Sequence, residues 1–263
     1  MTVDRLARAV REQIAFGRVL PLGGAGDGVW ITENAAADAL RGAVAGLTGV
    51  RVGTLRVGPE AVRVPRQETE PTAEPATDTD NMPLVPPSAV PYGPLCVTAA
   101  FEAAIDRPLP ATAERLRTAL WSAAHDLGLA VASVDLDVTG LMDPPAEPVA
   151  LPGFDPAPAL DPAPVPALAT GEDPPPAGNG VVAAALLVPG VARVTSRLGG
   201  FASGIRTADG GDPPVREVRV QIAVVPGHRA LDVARAVAAA VAEAAEPGSP
   251  GPVTTAVVVT AIG

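Results

Sequence analysis

The chain has 263 residues, enough for one large domain or two small ones, and 48% of them are hydrophobic, ample for a core. Aromatics make up only 3%, so the apolar mass is Ala, Val and Leu, and all 19 basic residues are Arg. The formal charge is −10, and neither the acidic stretches nor the formally neutral remainder offers the basic footprint that nucleic acids require; the single cysteine, Cys96, excludes an intramolecular disulfide and a thiolate metal cluster.

The acidity is local. Glu68, Glu70, Glu74, Asp78 and Asp80 lie in one Pro-rich stretch, and Asp143, Glu147, Asp155, Asp161, Glu172 and Asp173 lie in another. With these and Arg66 set aside, the remainder is formally neutral.

In chain order, Asp4 to Ile14 repeats apolar residues every four positions, with Arg5, Arg8 and Arg11 between them, which predicts an amphipathic helix. Arginines spread through a helical pattern do not form a secretory signal, and a cytoplasmic location is expected. No apolar run approaches the roughly 20 residues of a membrane span, so direct membrane insertion is not expected. Gly23 to Gly28 breaks the chain, and Val29-Trp30-Ile31 enters the next element. Thr32 caps a helix predicted from Glu33 to Leu47, ended by Gly49. Val50, Val52, Leu55 and Val57 predict a strand whose alternation breaks near Gly53, where a bulge restores the facing. Leu95 to Phe101 is a strand and Thr112 to Leu127 a helix. Val134, Leu136 and Val138 alternate with Asp135, Asp137 and Thr139 in a half-buried strand.

The same order then returns. A helix runs from Gly180 to about Val188, with Asn179 as its cap and Gly190 as its end. Val191 to Leu198 and Val218 to Val224 predict strands, with Gly199 to Pro214 as the connection between them. Leu231 to Val241 predicts a helix and Val253 to Ile262 the last strand. An internal repeat decides architecture. The expected fold is α+β: two tandem modules of helix-strand-strand-helix-strand type, joined by a Pro/Ala-rich linker. The first spans 1–142, including the N-terminal helix and an acidic insert at about 65–92 expected to be disordered; the linker spans 143–179 and the second module 180–263. Repeated Ala-Pro in the linker favours extended polyproline II, a spacer.

Few residues carry candidate chemistry. Cys96 as a nucleophile would need His125 or His228 as its base, yet it falls in an alternating apolar strand, where a free cysteine acts as a small hydrophobe. His125 in a last helical turn and His228 after Pro226-Gly227 read as solvated. Gly23 to Gly28 follows a helix and leads into a strand, the reverse of a dinucleotide loop. Ser203 is one place off a hydrolase elbow. Asp135 and Asp137 share a strand face and are acid–base or cation candidates, but Ala256 and Val258 stand at the corresponding places of the second copy. Trp30 and Trp121 read as core anchors. No catalytic, cofactor-binding or metal-ligating residue, and no cofactor, is expected.

Val182 to Val191, Val218 to Val225, Asp232 to Val237 and Thr255 to Ile262 together resemble the alkaline shock protein (Asp/Gls) family of bacterial envelope-stress proteins. Ile31 to Val57 and Leu95 to Leu141 carry the same pattern in the first copy, split by the insert. The tandem copies and the Ala-Pro spacer depart from the family's usual single module. The resemblance implies a non-enzymatic scaffold, acting through protein partners or self-association near the cell envelope and held there by a membrane-anchored partner. The alternative is a small-molecule or enzymatic pocket between the two modules, motivated by the Gly-rich segments and by Asp135 with Asp137.

Overall fold

The computed structural model describes residues 17–60, 84–86, 89–143, 179–196 and 204–263. The helix predicted at Asp4 to Ile14, most of the acidic insert, Ser203 and the spacer from 144 to 178 lie outside these residues. Among the described residues the fold is mixed α+β, with four α-helices and nine strands in two sheets. No helix among them is long and apolar enough to cross a membrane.

A hairpin of β1 (Val19–Pro21) and β2 (Val29–Thr32) leads into α1 (Glu33–Val44), whose first turn is capped by Thr32 Oγ1 accepting the Ala35 N–H at 3.3 Å. Gly49 takes φ 78°, a left-handed conformation that costs glycine least, and turns the chain into β3 (Val50–Pro59). The register of β3 shifts between Val52 and Leu55, around the Gly53 where the apolar alternation breaks. β4 (Leu95–Ala104), α2 (Leu109–Leu127) and β5 (Val131–Met142) follow. α2 starts three residues before the predicted Thr112, because proline is tolerated in a helix's first turn and Pro110 sits there. The later elements are α3 (Asn179–Leu187), β6 (Val191–Val194), β7 (Ile205–Gly210), β8 (Val215–Val224), α4 (Ala230–Ala245) and β9 (Val253–Ile262). β7 corrects the expectation of a plain connection from Gly199 to Pro214. Its only large apolar residue is Ile205, and backbone pairing along β8 makes it a strand.

The smaller sheet has the order β3-β4-β5, with β3 antiparallel and β5 parallel to the central strand. In the six-stranded sheet β8 is likewise flanked by antiparallel β6 and β7 and by parallel β9. The register agrees in detail. Ala99 and Phe101 lie opposite Leu136 and Val138, and Val220 and Ile222 lie opposite Val257 and Val259. Each ladder then shifts by one residue, to Glu102 opposite Gly140 and to Ala223 opposite Ala261. Beside each shift a threonine hydroxyl donates to the central strand at 3.2 Å, from Thr139 to Phe101 O and from Thr260 to Ile222 O. Ala104 N–H donates to Gly49 O and Val225 N–H to Gly190 O, with Gly190 also left-handed at φ 92°.

The hairpin crosses between the two halves of the sequence. β2 pairs parallel with β9, placing Val29 opposite Val257 and Ile31 opposite Val259, and Val257 N–H donates to Gly28 O at 3.0 Å. Strands that precede residue 142 thus belong to the sheet formed by 180–263. α1 packs on both β3 and β9, and α2 meets α4. One buried apolar cluster therefore runs from Leu40 and Leu55 through Leu116 and Leu120 to Val237 and Val257.

A second, smaller cluster lies on the outer face of the six-stranded sheet. Val19, Trp30, Ala256 and Val258 are covered there by Leu84, Ala89 and Tyr92 from the end of the Pro-rich insert. Val90 N–H donates to Val19 O at 2.8 Å, using a main-chain acceptor on the edge strand β1.

Candidate functional site

Alternation on β4 sends Leu95, Val97, Ala99 and Phe101 into the core and leaves Cys96, Thr98 and Glu102 on the opposite face. The antiparallel and parallel ladders align Arg56, Thr98 and Asp135 in one row across the sheet. At one end this face becomes a cleft of about 840 Å³, walled by Arg18, just ahead of β1, by Glu33, where β2 turns into α1, and by Arg56, Cys96, Ser133 and Asp135 on the strands. Glu33 is fixed by the Arg18 main-chain N–H, which donates to its Oε2 at 3.3 Å. Gly58 keeps the floor low, since a Cβ there would sit 3.3 Å from Arg18 Nη1.

Within the cleft the Cys96 thiol donates to Asp135 Oδ2 at 3.5 Å, with Thr98 Oγ1 3.9 Å from the sulfur. Cys96 is thus half-exposed on the polar face of its strand rather than packed as a small hydrophobe. Neither histidine lines the cleft. His125 is exposed in the last turn of α2, and His228 is exposed beside Gly190, where a Cβ would meet its ring. Asp137 is exposed on the same side of β5 as Asp135. Among the described residues no group of three or more His, Cys, Asp or Glu is placed to hold a metal ion. The cleft offers two guanidinium groups, a thiol and carboxylates to a polar ligand. All its lining residues precede residue 136, so it does not lie between the two halves, where the small-molecule alternative expected a pocket.

The two tryptophans separate. Trp30 is fully buried, as a core anchor should be, with its ring 5.8 Å from that of Tyr92. Trp121 is 44% exposed on α2, which corrects its reading as an anchor. Its position falls off the helical stripe of Leu116, Leu120 and Ala124.

The Gly23–Gly28 run folds into a short 3₁₀ turn. Asp27 Oδ2 accepts the Gly24 N–H at 2.6 Å, so the loop's own carboxylate fills the place a phosphate would need. The same carboxylate takes two bonds from Arg235 on α4, at 2.9 and 2.7 Å, a bidentate pair joining residues far apart in sequence. The Arg235 bonds hold the Asp27 pKa below its ordinary value of 3.8; burial opposes the shift, and the Gly24 N–H adds to it. A lowered folded pKa means the stabilisation is present above 3.8 and is lost as pH falls through the folded value. Tyr92 behaves oppositely. Burial, and secondarily the Asp27 charge, push its phenol from 10.0 up to about 12. The chain has one tyrosine, so tyrosinate absorbance reads it directly. Ionisation is expected at about 12 in the folded protein, with stability falling as pH rises between 10.0 and about 12. Asp27→Asn removes only the lesser cause and should leave the phenol above 10.0. A tyrosinate transition at the ordinary value in the folded chain would show that Tyr92 is not packed on Trp30.

Arg18, Arg56 and the Asp27–Arg235 pair had no local sequence signal, because each acts through a neighbour set by sheet register or by packing of distant elements. No protein-family model, curated protein or solved structure matches the chain.

Proposed function

We propose that this chain is a non-catalytic scaffold of two related α+β units joined by the Pro/Ala-rich linker at 143–179. It acts through protein partners or self-association near the cell envelope, as the alkaline shock proteins it resembles do. The observation that carries this reading is what recurs between the halves. Strand order, the one-residue register shift and the threonine bond recur, with Thr139 to Phe101 O matched by Thr260 to Ile222 O. These are packing and backbone features. The candidate chemistry does not recur, since Ala256 and Val258 occupy the register positions of Asp135 and Asp137. Duplicated geometry without duplicated chemistry fits selection for surfaces. The location follows from the resemblance alone and is cytoplasmic, peripheral at the membrane through an anchored partner. The test is affinity purification from membrane and soluble fractions, followed by reconstitution with the purified candidate. A defined binary complex or a stable homo-oligomer is expected. A strictly monomeric chain that retains no partner from either fraction would overturn the scaffold.

A second reading rests on the cleft at Cys96 and Asp135, whose volume and two guanidinium groups, set among Glu33, Glu60 and Asp135, suit a small polar ligand that carries an anionic group. Small carboxylates and phosphates that raise the thermal midpoint of the wild-type chain but not of Arg56→Ala would support it. No shift with either protein removes it.

A further inference from the structure

We propose that the outer edge of β5 takes up an extended segment of a partner protein in which basic residues alternate with apolar ones, added parallel to β5 as β2 is added to β9. The proposal rests on the scaffold reading and names the surface and the partner chemistry.

Leu136 and Val138 on β5 hold the places that Val257 and Val259 hold on β9, opposite matching residues of the central strand and ahead of the same register shift. On β9 that edge is filled. Val29 and Ile31 of β2 lie opposite Val257 and Val259, which are fully buried, and Gly28 O receives the Val257 N–H. On β5 the equivalent edge has no strand beside it among the described residues. Val138 is 38% exposed and Leu141 66%. A long strand with unpaired main-chain groups and apolar flanks is a template for strand addition, and the fold already uses this solution once.

The charges select the occupant. Asp135 and Asp137 are exposed on the polar face beside the edge. Glu102 on the same face is met by Arg51 at 2.6 Å, whereas among the described residues Asp137 has no cation within ion-pair distance. Opposite charges on neighbouring strands stabilise and like charges destabilise. An incoming strand therefore gains by placing Arg or Lys beside the two aspartates while its alternate side chains continue the apolar face of Val134 and Leu136. An acidic strand is disfavoured.

The test uses the full chain and two short labelled peptides, one alternating Val and Arg, the other Val and Glu. Saturable binding of the Val/Arg peptide is expected, with the Val/Glu peptide about tenfold weaker. The double variant Asp135→Arg/Asp137→Arg changes only exposed side chains and should reverse the preference with an unaltered circular dichroism spectrum. Leu136→Pro removes an edge donor and should abolish binding of both. Absence of saturable binding, or a preference unchanged in the double variant, would overturn the proposal. So would a concentration-dependent dimer abolished by Leu136→Pro, which would make a second copy the occupant. The two readings fail separately. A purified envelope partner that binds the double variant with undiminished affinity sinks the edge and spares the scaffold. Peptide preference that reverses as stated, with no partner recovered, does the opposite.

Discussion

A chain cut to residues 179–263 is expected to lose cooperative unfolding, and residues 17–142 supplied as a separate polypeptide should restore it. The physical reason is the crossing at β2 and α1. Without them the fragment loses the parallel neighbour of β9 and the helix that covers its inner face, exposing Val257 and Val259, both fully buried in the intact chain. Leu231 loses its burial with them. It sits between Gly23 and Gly128, where a Cβ on Gly128 would come within 2.5 Å of Leu231 Cβ, so the two halves approach at backbone distance. Each fully buried Val or Leu that returns to water costs about 1.5–3 kcal/mol. Three such residues forfeit several kcal/mol, comparable with the roughly 5–15 kcal/mol that holds a whole domain together. The strand order of the fragment would survive on paper while its stability would not. Circular dichroism melts of the fragment, its complement and their mixture decide the matter. A sharp transition in isolated 179–263, unchanged on mixing, would show that the crossing is dispensable.

That crossing also marks the boundary of what the sequence could disclose. Periodicity located β8, α2 and α4, because the alternation or helical stripe of each is written into the chain, while β9, buried on both faces, was located as a continuous apolar run. It predicted a bulge at Gly53, where alternation fails within an otherwise regular strand. It missed β7, which lies along β8 with one large apolar residue and therefore leaves no alternating trace. It could not see that β2 pairs with β9, since four consecutive buried residues, Val29–Thr32, fit any covered strand and carry no address for their partner. The acidic insert was read by composition, which overlooks the Leu84, Ala89 and Tyr92 that pack on the cluster around Trp30. At the candidate site, Cys96 and Asp135 each stood out by residue type. Their proximity follows only from the β4–β5 register, including a shift between Leu95 and Cys96 that no local pattern encodes.

Trp30→Ala should be among the most destabilising single substitutions in the chain, and Trp121→Ala nearly silent, although composition treats the two alike. Trp30 is fully buried between Val19, Val258 and the docked insert, so truncation removes a large apolar surface and leaves a cavity that a β-sheet face cannot collapse around. Substitutions of this kind cost about 3–5 kcal/mol. For a chain of this size that corresponds to a fall of roughly 6–20 °C in thermal midpoint. Trp121 is already 44% exposed, so the same change returns little surface to water and should fall within about 1 kcal/mol. Emission separates them independently. With Trp121 removed, the remaining fluorescence comes from Trp30 and should be blue-shifted and poorly quenched by iodide. With Trp30 removed, the remaining signal should be red-shifted and readily quenched. The loss at Trp30 should also free Tyr92, whose phenol sits above its ordinary value chiefly because it is buried, so tyrosinate absorbance in Trp30→Ala should move from about 12 back toward 10.0 while the protein is still folded. If the phenol stays at about 12 in that variant, the insert is held to the sheet by something other than the Trp30 ring.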